Sequence, residues 1–315
     1  MSSIAAPPIV SVVIITHNRA EHLERSIASV LAQDSAGVPY ELIVIDNASR
    51  DLTREVVDAK TRDFPNLKYV LEPRLGESHA RNTGFQTAQC SLVAYLDDDA
   101  IANPGWLKQI PIAFAEAGAD VACVTGRVDP IWGAPRPPWL HDDLLPLISA
   151  VDWSPAPGRL TDRQWPIGAN VAFRREALYR VGGFSTKLGR RGPSLLSNAE
   201  ILLYLQLTAH GYSSYYDPKL AVRHFVAPER LDKRWFRRRA YWQGVSDVIL
   251  DANFDAKSRP ALAWKRFRRF GSLIKHPMHV LALVDPSDDP VRFRNSCSAI
   301  EKFGYATAGF PFVPK

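Results

Sequence analysis

The chain has 315 residues, a formal net charge of +6 and 46% hydrophobic residues, values ordinary for one large globular domain or a domain with an appendage. Its three cysteines, Cys90, Cys123 and Cys297, are isolated and odd in number. This excludes a disulfide framework and a cysteine-based metal site, and it indicates a reducing cytoplasm. No apolar run is long enough to span a bilayer, and no basic segment precedes an apolar one at the start, so we expect neither a membrane helix nor a signal peptide.

Strands and helices are predicted to alternate through the first hundred residues. Runs of β-branched and apolar residues predict four buried strands, at residues 9–16, 40–46, 67–71 and 92–96. Apolar residues at helical spacing predict the helices between them, at residues 21–33, 52–64 and 76–86. This alternation predicts an α/β fold, a doubly wound sheet with helices on both faces.

The pattern changes after residue 100. A helix is predicted at 103–117 and a strand at 121–128, followed by a long proline-rich excursion at 129–157 that carries Trp132, Trp139 and Trp153. Loops of that length are usually lids or binding loops. The remaining predicted elements are strands at 167–174, 213–216 and 220–224 and helices at 176–181 and 200–211.

The positive charge is concentrated late in the chain. Residues 231–280 contain twelve Lys or Arg and four Asp, a net charge of +8, so the first 230 residues are close to neutral. We predict one domain at 1–230 and a basic, aromatic, mostly helical extension at 231–315. Aromatic residues alternate with Arg and Lys at 235–242 and 264–270, a composition that suits single-stranded nucleic acid, an anionic bilayer, or simple packing with solvated charges. We rank nucleic acid last.

Three consecutive aspartates, Asp97, Asp98 and Asp99, follow the predicted strand 92–96. Ligands of open α/β sheets bind beyond the carboxyl ends of the strands. Three carboxylates placed there repel one another unless a cation joins them, and Mg²⁺ or Mn²⁺ prefers such oxygen ligands. The alternative is a solvated acidic turn that caps a helix.

Several motifs then occur in a fixed order. They are SVVIITHNR at 11–19, ELIVIDNAS at 41–49, Gly76 with Ala80-Arg81-Asn82, LDDD at 96–99, GANVAFR at 168–174 and Gly182-Gly183-Phe184. Together they resemble the family 2 glycosyltransferases of GT-A fold over about residues 9–228. The resemblance implies a mixed sheet with a nucleotide half at about 9–100 and an acceptor half at about 101–230.

The resemblance also implies roles for individual residues. Asp46 would accept a hydrogen bond from the uracil or ribose, Arg81 would face the diphosphate through paired charge-assisted hydrogen bonds, and Asp97 would touch ribose or sugar. The other implied donor-binding residues are Thr16, His17, Asn18, Arg19, Asn47, Asp98 and Asn170. Asp99 and His224 would hold Mn²⁺ or Mg²⁺, which would stabilise the departing diphosphate.

Each of these roles has a plainer alternative. Asp46 could cap a helix, Arg81 could form a surface salt bridge, and His224 could be a structural histidine.

The general base is the least regular match. The family commonly carries Glu-Asp eleven residues before a Gly-Tyr pair, and here Glu200 stands eleven residues before Gly211. Ala199 replaces the neighbouring acid, Ser197-Asn198 replace the usual glycine pair, and Ser185 stands where the family often has aspartate. Glu200 could take a proton from an acceptor hydroxyl, or it could serve only as a favourable charge at a helix N-terminus.

The resemblance therefore implies an inverting, metal-dependent glycosyltransferase. It would move a sugar from a nucleotide sugar, with UDP first, to a glycan, lipid-linked or small-molecule hydroxyl in cell-envelope or glycoconjugate synthesis. We expect a cytoplasmic protein, with the basic extension offering a peripheral contact to the inner membrane face. The alternatives are a nucleotidyltransferase, which predicts a glycine- and lysine-rich loop that residues 16–19 lack, and a non-catalytic protein that binds nucleotides or anionic surfaces.

Overall fold

A computed structural model describes residues 9–33, 38–192, 194–254, 259–274 and 287–308. Parts of the predicted extension, at 255–258, 275–286 and 309–315, lie outside the described residues. The chain divides into two compact units. The first contains the segments up to Ile131, Ser149–Thr186 and Leu203–Phe225; the second contains Trp132–Ile148, Lys187–Leu202 and the segments from Val226 onward. The sequence-based boundary at residue 230 stays a prediction.

A mixed sheet runs through the described residues. Its strands are β1 (Val10–Thr16), β2 (Tyr40–Asp46), β3 (Leu67–Leu71), β4 (Leu92–Asp97), β5 (Ala100–Ala102), β6 (Val121–Trp132), β7 (Gly158–Arg159), β8 (Asn170–Arg174) and β9 (Ser213–Val226). Their order is β3-β2-β1-β4-β8-β6-β9-β5, with β7 beside β9. The first four strands pair in parallel, and β8 pairs with β4 antiparallel, so the sheet is mixed as predicted.

Helices cover both faces of the parallel strands, which explains why these strands are continuous apolar runs. The helices of the first unit are α1 (Ala20–Leu31), α2 (Thr53–Thr61), α3 (Glu77–Thr87), α4 (Trp106–Ala117) and α5 (Arg175–Val181). Val12 and Ile14 belong to one core with residues of α1 and α4. The intervening Val13 faces α3, where a Cβ on Gly84 would lie only 2.6 Å from the valine Cγ1. Glycine therefore lets α3 approach the sheet closely.

Two expectations about the later elements were wrong. Residues 213–224 form one long strand, β9, rather than two short ones. The predicted irregular excursion is partly regular, because β6 continues to Trp132 and a 3₁₀ helix spans Asp142–Ile148. Trp139 in this segment is buried and packs edge-on against Phe236 and Phe293, both in the second unit.

The second unit is mostly helical, as expected for the basic extension. It contains α7 (Lys233–Phe254), α8 (Arg259–Ile274) and α9 (Pro290–Thr307), a short 3₁₀ turn at Pro228–Arg230, and the first turn of α6 (Ala199–Ala209). In the described part of the chain, every helix is too short or too polar to cross a membrane.

Candidate functional site

Three polar side chains lie where three neighbouring parallel strands end. In the register of the sheet, Thr16 of β1 stands beside Asp46 of β2, and Ile15 stands beside Asp97 of β4. Because the strands are parallel, their carboxyl ends meet at one edge, and the residues that follow them share one site. All of the predicted donor and metal residues belong to the first unit, and Glu200 belongs to the second.

The aspartates after β4 form a buried cluster with the loop after β1. The Thr16 hydroxyl donates to Asp98 Oδ2 at 2.8 Å, and Arg19 Nη1 contacts Asp98 Oδ1 at 3.0 Å and Asp99 Oδ2 at 2.7 Å. Asp98 and Asp99 are only 6% and 7% exposed. The alternative of a solvated acidic turn is therefore wrong.

His224 reaches this cluster through a short strand that the sequence did not predict. β5 begins directly after the aspartates, and its Ala100 pairs with His224 in the antiparallel register of β9. His224 Nε2 lies 2.9 Å from Asp99 Oδ1 and 3.9 Å from Asp97 Oδ2. One potential ligand atom from each of Asp97, Asp99 and His224 lies within 4.8 Å of the others.

The cluster is electrostatically strained. Burial raises the pKa of Asp98 to about 7, and the charge of Asp99 adds to the rise while Arg19 opposes it. Burial also raises the pKa of Asp97, against the effect of Arg81. For Arg19, burial alone would lower the pKa, but the attraction of Asp98 and Asp99 holds it above its ordinary value. Crowded carboxylates of this kind are stabilised in their charged form by an added cation.

The same side chains fit a divalent metal ion. Two carboxylates and an imidazole offer hard oxygen ligands with one nitrogen, a donor set that suits Mn²⁺, and the oxygens suit Mg²⁺. His224 Nδ1 is buried and has no hydrogen-bond partner among the described residues. The other ring nitrogen, Nε2, faces Asp99 and Asp97, the residues with which His224 would share a metal.

The loop after β1 is tied to the loop after β2. Asn18 adopts the left-handed conformation, with φ of 54°. Its amide oxygen accepts from the Arg50 backbone at 2.7 Å, and its backbone N–H donates to Ser49 Oγ at 2.9 Å. His17 Nδ1 lies 2.7 Å from the Asn47 carbonyl. Both His17 and Asn18 are exposed.

Asp46 is buried at the end of β2 and is not a helix cap. Its two carboxylate oxygens accept from the Ser49 backbone at 2.8 Å and from the Tyr69 hydroxyl at 2.7 Å, whereas helix α2 begins only at Thr53. Burial and the bond to Asp46 raise the pKa of Tyr69 to about 12. Tyr69 was missed in the sequence because it pairs with Val44 in the sheet, and only the strand register shows that its hydroxyl reaches Asp46.

Two asparagines predicted to bind the donor are fully engaged with the protein. Asn47 donates to the carbonyls of Glu72 and Arg74 and accepts from the Gly76 backbone at 2.7 Å, which fixes the turn before α3. Asn170 has no exposed surface. It accepts from Trp106 Nε1 at 2.9 Å and donates to the carbonyls of Arg127 and Leu220. Their donor roles stay predictions, while their observed contacts hold strands and turns in place.

Arg81 is a buried cation at the same edge of the sheet. It is 1% exposed, so the surface salt-bridge alternative is wrong. Its Nη2 lies 2.9 Å from Glu77 Oε1 and 3.7 Å from Asp97 Oδ1, and its guanidinium covers the Phe184 ring. Glu77 was not singled out, although the spacing of four residues on one helix predicts the pair.

Glu200 lies in the first turn of α6, in the second unit. Its charge is one of those that raise the pKa of the buried Arg239, whose pKa is nevertheless lowered to about 10, first by burial and then by Arg190. Asn198, two residues before Glu200, has a φ of 68° and accepts the first helical hydrogen bond from Leu202.

Comparisons with known proteins agree with this geometry. The glycosyl transferase family 2 model matches residues 11–186. Glucosyl-dolichyl phosphate glucuronosyltransferase of Haloferax volcanii is 27% identical, over 77% of this chain and 77% of that protein. Validoxylamine A glucosyltransferase of Streptomyces hygroscopicus subsp. jinggangensis is 31% identical, over 98% of this chain and 79% of that protein.

A solved structure shows the same architecture. Mannosyltransferase PcManGT from Pyrobaculum calidifontis, in complex with GDP-Man and Mn²⁺, superposes with a TM-score of 0.58 and 25% identity, over 93% of this chain and 74% of that one. The match over more than half of the chain, the GT-A arrangement of strands and the aspartates at the end of β4 lead to one conclusion: the chain belongs to glycosyl transferase family 2.

Proposed function

We propose that this protein transfers a hexose-type sugar from a nucleoside diphosphate sugar to a hydroxyl acceptor, with inversion at the anomeric carbon. The observation that carries the proposal is the convergence of Asp97, Asp99 and His224 at the strand ends of a family 2 chain. The relatives named for glucosyl and glucuronosyl transfer support the hexose class. UDP-sugars are the first donors to test, and GDP-sugars follow because the Pyrobaculum enzyme is solved with GDP-Man.

The proposed metal is Mn²⁺ or Mg²⁺. Asp99 and His224 would hold the ion, and Asp97 would contact the ribose or sugar. When bound, the ion would supply positive charge to the diphosphate and make it a better leaving group. Mn²⁺ in the Pyrobaculum structure supports this choice.

The chain's own residues would bind the donor next to the proposed metal site. Arg81, buried 3.7 Å from Asp97, is a fixed cation for the diphosphate. Asp46 and the exposed His17 and Asn18 would receive the base and ribose. These contacts position the anomeric carbon, and positioning is a major source of rate in group transfer.

Glu200 is the proposed general base. It would accept the proton of the acceptor hydroxyl while that oxygen attacks the anomeric carbon and the nucleoside diphosphate leaves. A single base and a direct in-line attack give inversion. The acceptor would be a glycan, lipid-linked or small-molecule hydroxyl of cell-envelope, polysaccharide or glycoconjugate synthesis.

The second proposed partner is an anionic membrane surface at the inner face of the cell membrane. Trp264 and Phe267 of α8 are 61% and 64% exposed and stack on each other with ring centroids 5.7 Å apart. Exposed aromatics beside basic residues are typical of helices that lie at a bilayer surface.

A panel of nucleotide sugars tests the function. UDP-, GDP-, dTDP- and ADP-sugars are added with Mn²⁺, Mg²⁺ or EDTA, and thermal shift and donor hydrolysis are measured. We expect one nucleotide class to stabilise the protein only with metal and to be slowly hydrolysed. Release of pyrophosphate from a nucleoside triphosphate and a sugar phosphate, without donor hydrolysis, would instead identify a nucleotidyltransferase.

A further inference from the structure

The segment that leads into Glu200 is tied to helix α7 by its side chains. Asn198 Nδ2 donates to Asp247 Oδ1 at 2.8 Å. Gln243 Nε2 donates both to Asn198 Oδ1 and to Asp247 Oδ1, each at 2.9 Å. These three side chains therefore form a closed hydrogen-bonded ring between the start of α6 and one face of α7. All of these residues belong to the second unit.

The residue before Asn198, Ser197, is also hydrogen-bonded to α7. The Ser197 backbone N–H donates to Ser246 Oγ at 3.0 Å, and the Ser246 hydroxyl donates to the Trp242 carbonyl at 2.7 Å. Ser246 has no exposed surface and Asn198 is 3% exposed. Hydrogen bonds shielded from water in this way define one backbone conformation strongly.

The backbone at this point needs such support. Asn198 has a φ of 68°, a conformation that costs a residue with a Cβ free energy and that glycine adopts at little cost. Its carbonyl accepts from the Leu202 backbone at 2.9 Å, so α6 begins at this strained residue. A strained residue persists when its surroundings over-determine it, and such residues cluster at functional sites.

We infer that Asn198, Gln243 and Asp247 are positioning residues for Glu200, so that helix α7 of the basic extension is part of the catalytic apparatus. This inference rests on the proposed role of Glu200 as general base. Asn198 is held by its side-chain hydrogen bonds in a conformation that glycine would adopt without them. These bonds fix the first turn of α6, where Glu200 lies. The extension thereby acts on the transfer step, apart from any contact with a surface.

Asn198→Gly separates positioning from folding. Glycine relieves the strained φ, which offsets part of the stability lost with the two hydrogen bonds of the Asn198 side chain, so the variant should fold with a melting temperature close to that of the parent. We expect kcat to fall about tenfold, because loss of precise placement costs rate even where chemistry is intact. The donor Kd, measured by thermal shift, should stay unchanged.

Two substitutions of Asp247 form a matched pair of variants. Asp247→Asn keeps the Oδ1 acceptor and should retain near-normal kcat, whereas Asp247→Leu removes it and should match the loss in Asn198→Gly. The double variant Asn198→Gly/Asp247→Leu should be no slower than the slower single variant, since each single variant already removes the Asn198–Asp247 hydrogen bond. Thr208→Ala, at an exposed position later in α6, is the control and should keep full activity.

The background variant Glu200→Gln decides how the ring acts. If the ring works through Glu200, Asn198→Gly should cost nothing further in that background. An equal tenfold loss there, or full activity of Asn198→Gly beside an inactive Glu200→Gln, would overturn the positioning role alone. Full activity of Glu200→Gln would overturn the proposed base, and the inference with it.

Discussion

Two clusters of carboxylates with raised pKa values, one in each unit, differ in what they can bind. In the first, burial raises the pKa of Asp97 and Asp98 at the strand ends. In the second, burial raises the pKa of Asp247 on α7 and raises that of Glu301 on α9 to about 7. Only the first supplies a set of three metal ligands among the described residues.

The difference follows from the elements that carry each cluster. Parallel strand ends and the β5–β9 pairing direct Asp97, Asp99 and His224 toward one point. The helices direct no such set of ligand atoms toward one point among the described residues, although both clusters have an arginine nearby: Arg269 Nη1 lies 3.8 Å from Asp247 Oδ2, and Arg19 Nη1 lies 2.7 Å from Asp99 Oδ2. Perturbed pKa values therefore do not identify a site by themselves; convergence of ligand atoms does.

Of the substitutions predicted here to change function, removal of the Asp99 carboxylate should have the largest effect. Asp99→Ala deletes the carboxylate that contacts both Arg19 and His224. We expect metal-dependent nucleotide binding to be abolished, while far-ultraviolet circular dichroism stays unchanged. Calorimetric titration of the donor with and without Mn²⁺ measures this.

The control is Asp120→Ala, which removes an exposed ion pair with Arg159 elsewhere in the first unit. It should bind donor and Mn²⁺ normally. An Asp99→Ala protein that still binds nucleotide and Mn²⁺ like the parent would place the metal elsewhere.

The next largest effect should come from Glu200→Gln. Glutamine keeps the shape of the side chain but cannot take a proton, and loss of a general base typically costs about 10²–10⁴-fold in turnover. Donor binding should survive, because the donor residues belong to the first unit. Near-normal transfer in single-turnover assays would assign the base to another group.

The first cluster could be predicted from sequence and the second could not. Apolar runs that end in Thr16, Asp46 and Asp97 identify strands, and the sheet rule then brings their ends together. The place of His224 in the cluster could be predicted only from the family resemblance. The strand that pairs with it, β5, has only three residues and no periodic sequence pattern. Family motifs also suggested Asn47 and Asn170 as donor ligands, although their amides are engaged by backbone groups and, for Asn170, also by the Trp106 indole.

The second cluster depends on contacts between distant helices. Asn198 and Asp247 are 49 residues apart, and their bond requires the rotation of α7 about its own axis. Composition indicated a basic, aromatic extension, but it does not show which charges pair with other residues of the protein. Lys265 pairs with Asp251 at 2.7 Å, and Arg266 donates to the Ala306 carbonyl at 2.9 Å.

Membrane binding by helix α8 can be tested directly. Some of its basic side chains pair with residues of the second cluster, while its aromatic side chains Trp264 and Phe267 are exposed. We expect the protein to bind vesicles rich in anionic lipid at low salt. Trp264→Ala/Phe267→Ala should weaken binding by about tenfold, because each aromatic contributes apolar burial at the bilayer surface. Tyr179→Ala removes an exposed aromatic of the first unit and should leave sedimentation with vesicles unchanged.

High salt should weaken binding further, because each well-placed Lys or Arg contributes about 1 kcal/mol of attraction to an anionic surface. If the parent protein does not sediment with vesicles at low salt, the exposed aromatics have another partner and the membrane proposal fails.

The smallest predicted effect is a pH dependence of stability from Glu301. Burial raises its pKa to about 7 from an ordinary 4.5, and Asp247 adds to the rise, while Arg269, Arg239 and Lys302 oppose it. The folded state therefore binds this proton more tightly than the unfolded state. The stabilisation is complete below about pH 4.5 and is lost as the pH rises toward 7.

Glu301→Gln cannot ionise and should escape that loss. We expect its melting temperature to exceed that of the parent by roughly 2–4 °C at pH 8, with a smaller difference at pH 5. Glu229→Gln changes an exposed acid of the same unit and should shift neither value. Equal differences at both pH values would mean that Arg269, Arg239 and Lys302 keep Glu301 ionised throughout, against the opposing effect of Asp247.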